Sequence, residues 1–200
     1  MKIKNVKVAF LEESILRSGY PMRTGEPIDL PINLIADEQS QARAKKLSKV
    51  KTGTGHDNFL KGIIVQFDLQ YPQYFTPQLQ RYNWIDIVSS QSKMHKLTSC
   101  KNVQDNCNAY VLESITDIIN ELIETYNNTG LTGDDKKDMF QIIMSNLPMG
   151  YMLWMGISTN YLQLKTIYHQ RKNHKLEEWR YFCNWIESLE MSHLITGKNG

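Results

Sequence analysis

Gln78-Leu-Gln-Arg-Tyr-Asn-Trp-Ile-Asp-Ile-Val-Ser-Ser-Gln-Ser-Lys-Met-His95 is too polar for a simple core element and too aromatic for a simple linker. It carries one arginine, Arg81, among amide, hydroxyl and aromatic groups. Such a set can hold a planar, hydrogen-bonding, anionic ligand such as a nucleotide. Taken alone, the stretch also reads as a connection between a strand and a helix, with a solvated arginine. Upstream, Gly62 to Leu69 alternates in polarity, which predicts a strand with Ile63, Val65, Phe67 and Leu69 on one face. Tyr71 to Pro77 turns the chain, and Pro77 suits the first turn of a short helix. On such a helix Gln78 and Arg81 are three positions apart and face one way.

Working outward, Lys2 to Leu11 alternates well enough for a further strand, and a turn-rich segment runs from Arg17 through Pro31. Asp37 is placed to cap a helix reaching about Val50, with Ala42, Ala44 and Leu47 on its inner side. The loop Lys51-Thr-Gly-Thr-Gly-His56 lacks the Gly-Lys-Ser/Thr of a P-loop. Downstream, 93–108 reads as a loop or frayed helix. Tyr110 to Tyr126 repeats Val111, Ile115, Ile118, Ile119, Leu122 and Ile123 near the helical period. A second helix starts at Thr132 or Asp134 and stops before Leu147-Pro148. Met149 to Thr159 reads as a buried strand, Asn160 to His169 as a helix, and Leu176 to Leu194 as a final helix. Helices outnumber strands, and helices or long turns separate the strands. The fold class is therefore α+β, a small central, mostly antiparallel sheet flanked by helices.

The 200 residues fit a single domain, 1–200. A hydrophobic content of 41% with 22% charged residues is globular rather than disordered. A net charge of +2 leaves no broad polyanion-binding surface, so nucleic acid is not expected as a partner and any anion site is local. Cys100, Cys107 and Cys183 are an odd set with no metal-ligand spacing, which predicts a cytoplasmic protein without a disulfide framework or zinc. No apolar run reaches 18 residues, so no membrane association is expected.

Four segments, in order, resemble the flavin-dependent thymidylate synthases. Gly55-His56 with the strand that follows looks like that family's His-x-x-x-x-Glu segment. Gln78-x-x-Arg81-Tyr-Asn, followed by Gln91-Ser92, looks like its Gln-x-x-Arg-His-Arg motif with a downstream serine and arginine. Leu147-Pro148 stands where the family has Ala-Arg-x-x-Leu-Pro, and Asn160 through Arg171 looks like its Asn-x-Arg strand end and the arginine one helix later. The resemblance spans about Gly55 to Trp185. It implies an α/β subunit with a central sheet, assembled as a homotetramer with active sites between subunits. It further implies FAD, a pyrimidine nucleotide (dUMP), methylene-tetrahydrofolate and a reduced nicotinamide. In the family's reaction the folate supplies a carbon and the reduced flavin a hydride at C5 of dUMP.

Carried over position by position, the resemblance makes His56, Arg81 and Asn160 flavin-binding residues. It gives Gln78, Arg81, Ser92 and Arg171 to the nucleotide. Ser92, beside the uracil, and Arg171, which polarises the pyrimidine, become the catalytic pair. The sequence also departs from the family. Lys61 replaces its glutamate, Tyr82 and Asn83 replace a histidine and an arginine, and Met94, Met144 and Leu162 replace three more arginines. Three readings follow. The chain is a diverged C5 methyltransferase; or it keeps the fold and binds another nucleotide or a partner protein without catalysis; or it is an unrelated helical interaction protein.

Overall fold

The alternation ending at Leu69 builds the centre of the sheet. The computed structural model describes residues 1–27 and 29–198; Ile28, within the turn-rich segment, and residues 199–200 lie outside the described residues. In chain order the elements are β1 Lys2–Ala9, α1 Leu11–Arg17, α2 Glu38–Ser48, β2 Ile64–Pro72, α3 Thr76–Leu79, β3 Asp86–Ser90 and α4 Lys93–Lys96. They continue with α5 Glu113–Asn128, α6 Gly133–Asn146, β4 Met152–Asn160, α7 Tyr161–Arg171, α8 Glu177–Glu187 and α9 His193–Thr196. The four strands form one antiparallel sheet in the order β1-β2-β4-β3. The expected α+β architecture is the one observed.

The β2–β4 pairing sets the core. Its register places Val65 opposite Thr159, Phe67 opposite Ile157 and Leu69 opposite Met155, and all six are buried. Because side chains alternate along a strand, this register puts the apolar members of both strands on one face. Helix α8 covers that face with Trp179, Phe182, Cys183 and Ile186, spaced as one helical stripe. Phe67 meets Trp185 at 4.5 Å and Phe182 at 6.0 Å between ring centroids, and Phe75 meets Trp179 at 4.5 Å. Burial pushes the Cys183 thiol up to about 12, consistent with its place in this apolar layer.

The structure departs from the sequence reading in several places, each with a local cause. Strand β3 lies inside the Gln78–His95 stretch and has every residue exposed, so no inside–outside alternation marks it. Leu11–Arg17 is a helix with Leu11, Ile15 and Leu16 buried. In α2 the buried residues are Ser40, Ala44 and Ser48, four apart, and Ala42 is exposed. Between them Arg43 reaches to the end of α1, where its Nε donates to Ser18 Oγ at 3.1 Å and its Nη2 to Leu16 O. In α5 only Ile119 and Ile123 of the apolar repeat are buried; Ile115 and Ile118 face outward. The final helix stops at Glu187, and a turn with Met191 at φ 45° separates it from α9.

Candidate nucleotide site

Pro77 lies in the first turn of α3, as its fixed φ favours, and the chain leaves that helix so that Gln78, Arg81 and Tyr82 approach the end of α7. Gln78 Oε1 accepts a 2.8 Å hydrogen bond from Trp179 Nε1. That bond ties α3 to α8 and satisfies a buried indole N–H. Tyr82, where the resemblance has a histidine, is buried. Its hydroxyl accepts from Arg171 Nε at 2.7 Å and donates to Gln170 Oε1 at 3.1 Å. The Arg171 guanidinium carbon lies 4.9 Å from the Trp179 ring centroid and 5.7 Å from that of Tyr82, within cation–π range.

These contacts hold Arg171 by its Nε–H and its aromatic neighbours. Its four Nη–H donors have no hydrogen-bond partner among the described residues. Arg81 is exposed and has no hydrogen bond or ion pair among the described residues. Both arginines line one cleft of about 510 Å³, together with Asn83, Trp84, Gln163 and Thr166. That volume lies within the ~300–1,000 Å³ of ordinary ligand pockets. Its floor is braced from two sides: Gln163 Oε1 accepts from Trp84 N at 3.3 Å, and Thr159 Oγ1 donates to Trp84 O at 2.6 Å. Lys61 Nζ stands 5.0 Å from the Trp84 ring centroid. The cleft therefore offers two guanidinium groups, amides and an indole face. Chemically this suits an anionic, flat, hydrogen-bonding ligand.

The sequence-predicted residues do not all meet there. Arg81 and Arg171 line the cleft, and Gln78 lies outside its lining, bonded to Trp179. Asn160 lies nearby, at the end of β4, and caps α7: its Oδ1 accepts from Gln163 N at 2.9 Å. Replacing Asn160 by alanine removes that cap, and a loss of about 1 kcal/mol is expected. A lower denaturant midpoint at unchanged slope would show it, and an unmoved midpoint would show that the cap is dispensable. His56 is exposed on the loop before Asp57 and does not line the cleft. Ser92 follows β3 at the opposite end of the sheet. Gln91 N donates to Trp154 O, and at roughly 3.3 Å per residue Trp154 lies about 20 Å along β4 from Asn160. Ser92 is thus well separated from Asn160 along the sheet, and it does not line the cleft.

Sequence reasoning did not single out Gln163, Thr166 and Gln170. Their signal was present: with Arg171 they form a polar stripe at helical spacing on α7, whose other residues are mostly buried. It also did not pair Asp57 with Lys165. Lys165 Nζ lies 2.7 Å from Asp57 Oδ2 and 2.7 Å from Val50 O, and this buried contact anchors the glycine loop to α7.

No family model and no curated protein matches the sequence. Among solved structures, the chain is similar to the flavin-dependent thymidylate synthase ThyX from Helicobacter pylori complexed with FAD and dUMP. It is 14% identical with a TM-score of 0.70, and the match covers 98% of this chain and 97% of that one. A second Helicobacter pylori structure of that enzyme with FAD and dUMP gives 14% identity and a TM-score of 0.67, covering 98% and 96%. At that identity the likeness shows a shared fold.

Proposed function

We propose that this chain is a flavin-dependent thymidylate synthase-like protein whose cleft binds a pyrimidine nucleotide such as dUMP. The observation that carries the reading is the placement of Arg81 and Arg171 on one cleft, with the Arg171 Nη–H donors aimed at no protein acceptor among the described residues. A shared fold with a dUMP-bound enzyme supports it. In this reading Arg171 faces the pyrimidine and stabilises negative charge on its carbonyl oxygens, Arg81 at the exposed rim meets the phosphate, and Trp84 offers a face for stacking. Tyr82 and Trp179 fix the guanidinium before the ligand arrives, so little reorganisation is needed on binding.

Ser92 does not line this cleft, and in a family whose sites lie between subunits a second copy would supply it. A homo-oligomer, tetrameric by resemblance, is part of the proposal. Exposed Val88 on the edge strand and Ile115, Ile118 and Met149 are apolar groups that such an assembly would cover.

FAD would supply the hydride of the reductive methylation, but the residues here fit it poorly. Where the resemblance has arginines, this chain has Asn83, Met94, Met144 and Leu162; Leu162 is buried in the core and Met94 is exposed. Each charge-assisted contact to a phosphate contributes about 1.5–3 kcal/mol, and the FAD pyrophosphate finds no guanidinium at those positions. The lost arginines favour nucleotide binding without flavin chemistry over catalysis. Titration calorimetry with dUMP and the visible spectrum after adding FAD test whether the cleft takes the nucleotide without the flavin. Uptake of dUMP without a bound flavin band is the expected outcome. Absence of dUMP binding overturns the nucleotide reading, and a flavin spectrum with dTMP formation from dUMP restores the enzyme.

A further inference from the structure

A second cleft, of about 520 Å³, lies across the Thr166–Gln170 ridge of α7 from the one just described, and both residues line both clefts. Its other walls come from the end of α2 and the start of the glycine loop: Lys49, Lys51 and Thr52, with Lys165 and His169 from α7. No carboxylate lines it among the described residues. The C-terminus of α2 would by itself repel an anion. That effect is offset locally, because Lys165 Nζ takes up the Val50 carbonyl at 2.7 Å and Lys45, Lys46 and Lys49 crowd the same end. The Lys165 ammonium has three donors. Val50 O and Asp57 Oδ2 take two, which leaves a third on a buried cation that lines the cleft.

The positive potential is felt by neighbouring rings. Burial first, and then Lys172 and Lys165, hold His169 below the ordinary imidazole range; burial, Lys45 and Lys49 do the same to His193. The loop beside the cleft turns through Gly53, at φ 98° and with open space where a Cβ would stand, so a ligand meets no side chain there.

We infer that this cleft is a second anion site, which takes the phosphate group of a small molecule on Lys51, Lys165 and His169, separately from the Arg81–Arg171 cleft. Lys51 and Lys165 offer ammonium donors and His169 an imidazole N–H to a compact phosphate, whereas the first cleft offers planar guanidinium forks. The phosphate could be inorganic or the monoester of a nucleotide, and the two are separable by titration.

The test is titration calorimetry of the whole protein with inorganic phosphate and with dUMP, in wild type, Arg171→Ala and Lys51→Ala/His169→Ala. Lys51 and His169 are exposed, so the double variant keeps the fold. Inorganic phosphate is expected to bind wild type and Arg171→Ala alike, and at least ten-fold more weakly to the double variant. Tighter uptake of dUMP than of phosphate by Arg171→Ala supports the site with a phosphate monoester as its ligand; the reverse order supports it with free phosphate. No phosphate binding by wild type, equal binding by the double variant, or a ten-fold loss in Arg171→Ala would each overturn the inference. Failure of the nucleotide reading shows separately, as dUMP affinity that Arg171→Ala leaves unchanged while the double variant still loses phosphate.

Discussion

Arg171→Ala is expected to weaken dUMP binding by about 10–150-fold, the equivalent of about 1.5–3 kcal/mol for a hydrogen bond to a charged group. The Arg171 Nε–H is fixed on Tyr82, and the remaining donors have no partner among the described residues. A ligand carbonyl or phosphate that enters the cleft is therefore their natural acceptor. The loss separates from unfolding because Tyr82 keeps its bond to Gln170 Oε1 when Arg171 is removed. Stability should fall by only about 1 kcal/mol, the net value of one hydrogen bond. Arg171→Lys is the sharper control. It keeps the charge but loses the Nε–H that Tyr82 holds and the planar fork, so its affinity should fall between wild type and alanine. Calorimetric dissociation constants for the three proteins decide the matter; equal affinity in wild type and Arg171→Ala would remove Arg171 from the site.

Parts of this site were legible before the structure, and the reason lies in how each residue is used. Gln78 and Arg81 were visible as an i, i+3 pair on a short helix, and Arg171 only through the family resemblance. In the fold Arg81 and Arg171 line one cleft while Gln78 bonds Trp179 beside it. Asn160 likewise came forward only through the resemblance. An asparagine at the start of an apolar helix is also a capping residue, and its oxygen is in fact engaged with Gln163 N. Ser92 lies outside the cleft that Arg171 lines, because sequence spacing says nothing about which end of a strand faces which site. Strand β3 itself left no trace, because an edge strand with both faces exposed has no apolar alternation to detect. Strand β2 was legible because burial on one face enforces its alternation, and β4 because it is an apolar, aromatic run at the centre of the sheet.

The pair that sequence reasoning could least reach is the one with the largest expected effect on stability. Lys165 and Asp57 are 108 positions apart in the chain and 2.7 Å apart in the fold, with side chains 4% and 1% exposed. One of the Asp57 oxygens, Oδ1, has no hydrogen-bond partner among the described residues, so Lys165 carries most of the compensation for a buried carboxylate. Lys165→Met removes that compensation and strands the Val50 carbonyl as well. A loss of about 3–5 kcal/mol is expected, which for a chain of this size is a melting temperature lower by about 6–20 °C. The companion variant distinguishes the charge from the space it fills. Asp57→Leu/Lys165→Met replaces both ions with apolar groups and should recover much of the loss, since burying two ions costs nearly what their attraction returns. Thermal unfolding of the single and double variants gives the coupling directly. A single variant within about 1 kcal/mol of wild type would mean that water reaches the carboxylate when the lysine is gone. The pair would then join the glycine loop to α7 without contributing to the stability of either.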